Sequence, residues 1–129
     1  ATKKRDKIII NGNDYNTNDG TAVRDFIHVS DLADMHVIAA NHIISNGETD
    51  IYNCGYGKGY TVKEVIKEME QVAKQSLRYE LGSRRKGDIP YSVANNEKFK
   101  KKFNWSPKYN SLNYILSSAL RWESYLNEF

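Results

Sequence analysis

A chain of 129 residues, 40% hydrophobic and 27% charged, is long enough for one domain with a real core and too short for two compact ones. Its formal net charge of +3, from 19 Lys and Arg against 16 Asp and Glu, tilts only mildly towards anionic ligands, and scattered solvated lysines account for it as well. One cysteine, Cys54, excludes an internal disulfide framework and a cysteine-rich zinc site, and no apolar run approaches the ~20 residues needed to cross a bilayer. The charged start also lacks the apolar segment of a signal peptide, so the chain reads as a soluble protein of a reducing compartment, the cytoplasm.

Ile8-Ile9-Ile10 is a short β-branched run that stops at Asn11-Gly12-Asn13-Asp14, where turn-forming residues cluster. A loop follows to Gly20. Residues 24–29 carry strand-like side chains on the approach to a helix. Ser30 is placed to be its N-cap, with Asp31 and Asp34 in the first turn, where the helix dipole favours acids. Leu32, Met35, Ala39, Ala40 and Ile43 recur at helical spacing and predict a helix over 31–45, ended by Asn46-Gly47. A second strand is expected over 51–54, which makes Cys54 a small core residue rather than a nucleophile.

The glycine-rich turn Gly55-Tyr56-Gly57-Lys58-Gly59 comes next. Thr61 and Glu64 then form a capping-box pair opening a helix with apolar positions Val62, Val65, Ile66, Met69 and Val72. An edge strand is expected over 77–81, a charged loop over 84–88 and a short strand over 91–94. Asn95 or Asn96 caps a basic helix running to Phe103. After Ser106-Pro107, Ser111 caps a last helix whose stripe is Leu112, Ile115, Leu116, Ala119, Leu120 and Leu126. No internal repeat or interdomain linker interrupts the pattern, so residues 1–129 read as one mixed α/β domain.

Several features could carry chemistry, and each has a plainer alternative. The glycine turn lies between a strand and a capped helix, where phosphates often bind, but it is not the G-x-G-x-x-G dinucleotide fingerprint. It is either a tight structural turn or an anion cradle. Arg84-Arg85-Lys86-Gly87-Asp88 offers two guanidinium forks and a carboxylate within five positions. Arginine supplies bidentate donors to a pyrophosphate, and a nearby acid can accept from ribose hydroxyls; the alternative is an exposed, self-neutralising charge cluster. Arg24 followed by Asp25 invites the same pair of readings. His28, His36 and His42 share no face and have no cysteine or acid cluster beside them, so they make no metal site. Lys98, Lys100, Lys101 and Lys102 could touch nucleic acid, but Phe99 and Phe103 on that helix look like core anchors and the lysines like a solvated face.

These segments are not independent. Asn11-Gly12-Asn13-Asp14-Tyr15, Asp19-Gly20-Thr21 and the stretch RDFIHVSDLA from Arg24 to Ala33 resemble the opening of the C-terminal half of UDP-glucose 4-epimerases. Ile51-Tyr52-Asn53-Cys54-Gly55, Thr61-Val62, Arg84-Arg85-Lys86-Gly87-Asp88 and Phe103-Asn104-Trp105-Ser106-Pro107-Lys108-Tyr109 continue the likeness in the same order. From Ile8 onward it covers nearly the whole chain. The RDFIHVSDLA stretch resembles extended short-chain dehydrogenase/reductases acting on nucleotide sugars, and its combination with NGNDY and RRKGD points to their 4-epimerase branch.

The resemblance implies a small mixed α/β substrate-binding lobe without the N-terminal Rossmann domain. It implies that Arg24 and Arg85 grip the diphosphate of UDP-glucose or UDP-galactose, and that Asp88 meets the ribose hydroxyls. The backbone around Ile9 and Asn11 would read the uracil edge, Phe26 and Val62 would wall the nucleotide, and Arg84 would support rather than touch it. Ser92 falls where family members gate the sugar pocket; a small residue there implies room for UDP-N-acetylhexosamines as well. The family's NAD fingerprint and its Tyr-x-x-x-Lys pair belong to the N-terminal lobe, and no Tyr here is followed four positions later by Lys. No catalytic residue, metal or NAD site is therefore expected on these residues, and this chain alone should be inactive. Surface normally covered by the other lobe should be apolar and prone to self-association. The competing readings are a small anion- or nucleic-acid-binding module and an associating fragment without activity.

Overall fold

The computed structural model describes residues 1, 2 and 4–126. Its elements run β1 (Ile8–Asn11), β2 (Val23–Asp25), α1 (Val29–Ile44), β3 (Gly59–Thr61), α2 (Val62–Ala73), β4 (Tyr79–Gly82), β5 (Tyr91–Ser92), α3 (Glu97–Phe103) and α4 (Leu112–Tyr125). This is a mixed α/β architecture with two small sheets. In one, β1 pairs in parallel with β4, Ile9 opposite Glu80; in the other, β2 is central, antiparallel to β3 and parallel to β5. Arg24 thus lies opposite Tyr60 on one side and Ser92 on the other.

Helix α1 starts two residues before the expected point, and its N-cap is His28, not Ser30. The Nδ1 of His28 accepts from the Ser30 amide at 3.1 Å, which satisfies an orphan donor of the first turn. That leaves Nε2 of the neutral ring as donor to the Ser118 hydroxyl, 3.0 Å away on α4. The buried ring also lies 4.9 Å from Tyr109 and 5.4 Å from Tyr114, centroid to centroid. His28 is structural.

Residues 51–54 form no strand. Side chains hold the segment in place of a ladder: Lys98 donates to the Ile51 carbonyl and Asn53 to that of Asn95, while Tyr52 packs edge-on against Phe99 and Phe103. Cys54 is exposed, not a core residue. Gly59, expected in the turn, instead opens β3 opposite Asp25, where Val23 and Val93 leave no room for a Cβ.

The expected capping box is present: Thr61 Oγ1 accepts from the Glu64 amide, and the Glu64 carboxylate accepts from the Thr61 amide at 2.7 Å. Ser111 caps α4 as expected. Asn96 stands at the N-cap of α3 but makes no side-chain cap bond; its side-chain amide donates to the Gly55 carbonyl, and Asn95 Oδ1 accepts from the Glu97 amide. The core centres on Met35, Phe99 and Trp105, with Ile27, Ile38, Tyr52, Tyr56 and Phe103 against it. Burying one such side chain stabilises by about 1.5–3 kcal/mol. Helices α2 and α4 pack on one another, burying Ile66, Leu112 and Leu116.

No helix among the described residues is long and apolar enough to cross a membrane. Much apolar surface stays open: Val29 is 72% exposed, Ile44 78% and Ile51 84%, and Trp122 and Tyr125 stack on the outside of α4.

Candidate functional site

Strand β2 delivers Arg24 to a surface shared with the 84–88 loop. Its guanidinium donates to the carbonyls of Val23 and Ile89 at 2.7 and 3.0 Å, and Nη2 stands 3.9 Å from Oδ1 of Asp88. The other carboxylate oxygen of Asp88 accepts from Nε of Arg85 at 2.9 Å. Two guanidiniums from distant parts of the sequence therefore face one half-buried carboxylate. Ser92, in register with Arg24, is exposed at the same edge.

The loop that carries Arg85 is anchored by its neighbour. Arg84 donates to the Asp14 carboxylate at 2.6 Å and to the Asp14 carbonyl, and its guanidinium lies 4.2 Å from the centre of the buried Tyr15 ring. That hydrogen bond holds the Asp14 carboxyl below its ordinary value. Gly12, at φ 86°, lets the chain turn beneath Tyr15; a Cβ there would meet the ring at 2.5 Å. So the end of β1, with Ile9 and Asn11, is tied to the charged loop through Tyr15 and Arg84. An open depression of about 870 Å³ takes in Ile9, Asn11 and the 75–78 segment, though not Arg24, Arg85 or Asp88. Phe26 directly follows β2, and Val62 opens α2 with its amide on the Ala22 carbonyl at 3.2 Å; both are half-buried.

The glycine turn is not an anion cradle. Asp25 already occupies it: its carboxylate accepts from the amides of Tyr56 at 3.1 Å, Gly57 at 2.9 Å and Ala94 at 3.3 Å. The donors a phosphate would need are spent on a side chain of the same sign. These glycines therefore do not fit the pyrophosphate of NAD, and no dinucleotide site is formed here.

Asp31, expected as a dipole-complementing acid, is wholly buried and has a larger task. It accepts from the Tyr56 hydroxyl at 2.6 Å, the Tyr109 amide at 2.9 Å and the Lys108 amide at 3.1 Å, joining α1 to the approach of α4. Burial, reinforced by the bond to Asp31, pushes the Tyr56 phenol far above its ordinary value. A second knot ties the 17–21 loop to α2. Asp19 accepts from the Thr21 amide and hydroxyl and from the Thr61 hydroxyl, and these bonds outweigh the upward pull of burial to hold its carboxyl low. The sequence marks Asp31 only as a first-turn acid and Asp25 only as the charged neighbour of Arg24, and gives Tyr56 no role, because the partners these residues hold are remote in the chain.

The basic face of α3 is partly spoken for. Lys98 pairs with Asp50 and lies 5.0 Å from the Tyr52 ring centre, and Lys101 pairs with Glu97. Among the described residues no group of His, Cys, Asp and Glu could hold a metal ion.

Comparison with known proteins shows what the chain as a whole is similar to. The family described as GDP-mannose 4,6 dehydratase matches residues 1–116. A UDP-glucose 4-epimerase of Azospirillum brasilense is 42% identical over 125 residues, which span 97% of this chain and 36% of that protein. The UDP-glucose 4-epimerase of Bifidobacterium longum, solved in complex with NAD+ and UDP, superposes with a TM-score of 0.86 at 36% identity, covering 98% of this chain and 37% of that one. The UDP-Glc/GlcNAc 4-epimerase of Campylobacter jejuni superposes with a TM-score of 0.84 at 41% identity, covering 95% and 37%. This chain thus spans little more than a third of the length of the relatives it matches.

Proposed function

Because the chain belongs to the GDP-mannose 4,6 dehydratase family, we propose that it is the nucleotide-sugar-holding part of an NAD-dependent UDP-hexose 4-epimerase. The observation that carries this reading is the convergence of Arg24 and Arg85 on Asp88. Two planar forks a few ångströms apart suit the several oxygens of a diphosphate, and charge-assisted bonds of this kind are about twice as strong as neutral ones. In the bound state the diphosphate takes the guanidiniums, and the Asp88 carboxylate turns to the ribose hydroxyls. Ile9 and Asn11 present main-chain groups to the uracil edge, and Phe26 and Val62 wall the nucleotide.

The chain's part in the reaction is positioning. It grips the UDP end while leaving the hexose free to present either face of C4. The redox cofactor of the proposed reaction is NAD, and its site and the proton-transferring groups lie outside these residues. On its own the chain is inactive. Ser92 is small and exposed beside Arg24, so the sugar pocket admits UDP-N-acetylhexosamines as well as UDP-glucose and UDP-galactose. The free, exposed Cys54 suits action in the reducing cytoplasm. The open apolar surface gives the isolated chain a tendency to associate with itself.

Calorimetric titration of UDP into this chain tests the reading. Binding that is lost in Arg85→Ala supports it. Salt-sensitive binding of any oligonucleotide, with none of UDP, replaces it with a nucleic-acid module.

A further inference from the structure

Residues 89–94 carry Ser92 past Arg24, and the three residues of β2 clamp this segment at both ends. At the near end the Arg24 guanidinium donates to the Ile89 carbonyl at 3.0 Å, and the Val23 amide donates to the Pro90 carbonyl at 2.7 Å. At the far end the Ala94 amide donates to Asp25. Strand β5 itself is only two residues long, so a ladder this short cannot hold the segment unaided.

The far clamp is built into the core. The same Asp25 carboxylate binds the amides of Tyr56 and Gly57, and Gly57 accepts the required φ of 73°. Gly55 is wedged beside it: a Cβ there would come within 2.6 Å of both the Asp25 carboxylate and the Ala94 methyl. The buried Asn96, just beyond Ala94, donates to the Gly55 carbonyl. The glycine turn, the end of β2 and the chain leaving β5 are thereby locked to one another through one carboxylate.

We infer that Asp25 is a positioning residue for the sugar end of the site: by gripping Ala94 and the glycine turn together, it sets the place of Ser92 relative to Arg24. This rests on the nucleotide-sugar reading above. Asp25 touches no ligand in it. The diphosphate stays with Arg24 and Arg85, whose own contacts do not pass through Asp25, so Asp25→Asn should blunt the response to the sugar and spare the grip on UDP. An asparagine offers one acceptor oxygen for three amides and turns an NH2 towards the others.

The experiment is amide NMR on the 15N-labelled chain titrated with UDP and with UDP-N-acetylglucosamine. In the unaltered chain, Ser92 is expected to shift with the sugar nucleotide beyond its shift with UDP. In Asp25→Asn, that extra shift should vanish while UDP affinity falls less than about threefold, and the amides of Gly57 and Ala94 should move upfield as the carboxylate bond is lost. If Asp25→Asn does not fold, Ala94→Pro removes the single donor and leaves the glycine turn bound; it should erase the same sugar-dependent shift. An unaltered chain that ignores UDP sinks the nucleotide-sugar reading and this inference with it. UDP binding with no sugar-specific response at Ser92, or with the same response in both variants, overturns the role of Asp25 alone.

Discussion

Arg24 and Asp88 stand 3.9 Å apart across the junction of β2 and the 84–88 loop, and Asp88 shares its other oxygen with Arg85. In the absence of ligand, then, a carboxylate partly neutralises the cations offered to a diphosphate. Asp88→Asn should therefore act in opposite directions on two ligands. Inorganic pyrophosphate, which sees only the cations, should bind more tightly once the competing charge is gone. UDP should bind about tenfold more weakly, because a hydrogen bond to a charged acceptor is worth about 1.5–3 kcal/mol. Paired calorimetric titrations decide it; parallel changes for both ligands would remove Asp88 from the ribose.

Thr61 serves two neighbours at once, capping α2 and donating to Asp19. Thr61→Ala should cost about 1–2 kcal/mol of unfolding free energy in denaturant melts, near the top of the range for a lost cap. The folded state also holds the Asp19 carboxyl below its ordinary 3.8. The stability this contributes is present above that value and is lost as pH falls below it. Acid titration of the midpoint should thus be shallower in Thr61→Ala than in the unaltered chain.

Tyr56 contributes to the alkaline side. Its phenol is raised above an ordinary 10.0, chiefly by burial and next by Asp31. Below pH 10 the contribution is complete in both states, and above it the unfolded chain ionises first, so stability declines as pH climbs. Tyr56→Phe should flatten that decline while lowering stability at neutral pH by about 1.5–3 kcal/mol, because the hydroxyl donates to the Asp31 carboxylate and accepts from the His28 amide. Denaturant melts at pH 7, 10 and 11 provide the comparison, and an unchanged alkaline slope in the variant would contradict it.

Ile44, Ile51 and Trp122 are all exposed apolar side chains, and such surface favours contact between copies of the chain. Sedimentation velocity should show an average mass that rises with concentration, and Trp122→Asp should lower it. A monomer at every concentration would count against association.

The local grammar of the chain was plain where both partners were close in sequence. Thr61 with Glu64, Ser111 before α4, and the turn at Gly12 were readable because each answers a neighbour within a few positions. Reading failed where a remote partner decides. Nothing near Ser30 says that His28 will take the cap, since the imidazole is seated there by Ser118 and two tyrosines from the far end of the chain. Ile51-Tyr52-Asn53-Cys54 has the composition of a strand, but Lys98 of α3 claims the Ile51 carbonyl and the Asn53 side chain is drawn to the Asn95 carbonyl. At the candidate site, the meeting of Arg24, Arg85 and Asp88 was expected only through family likeness. The burial of Asp31 and the triple grip of Asp25 were not legible by either route.

The central strand of the charged edge takes its neighbours from residues 59–61 and 91–92, so the cation pair does not exist until stretches far apart along the backbone have met. The caps of α2 and α4 are local, whereas that of α1 is seated from the far end of the chain. Assembly of this kind is slow, since long loops must close before any pairing rewards them. Recognition is therefore a property of the whole tertiary assembly and of no single element in it.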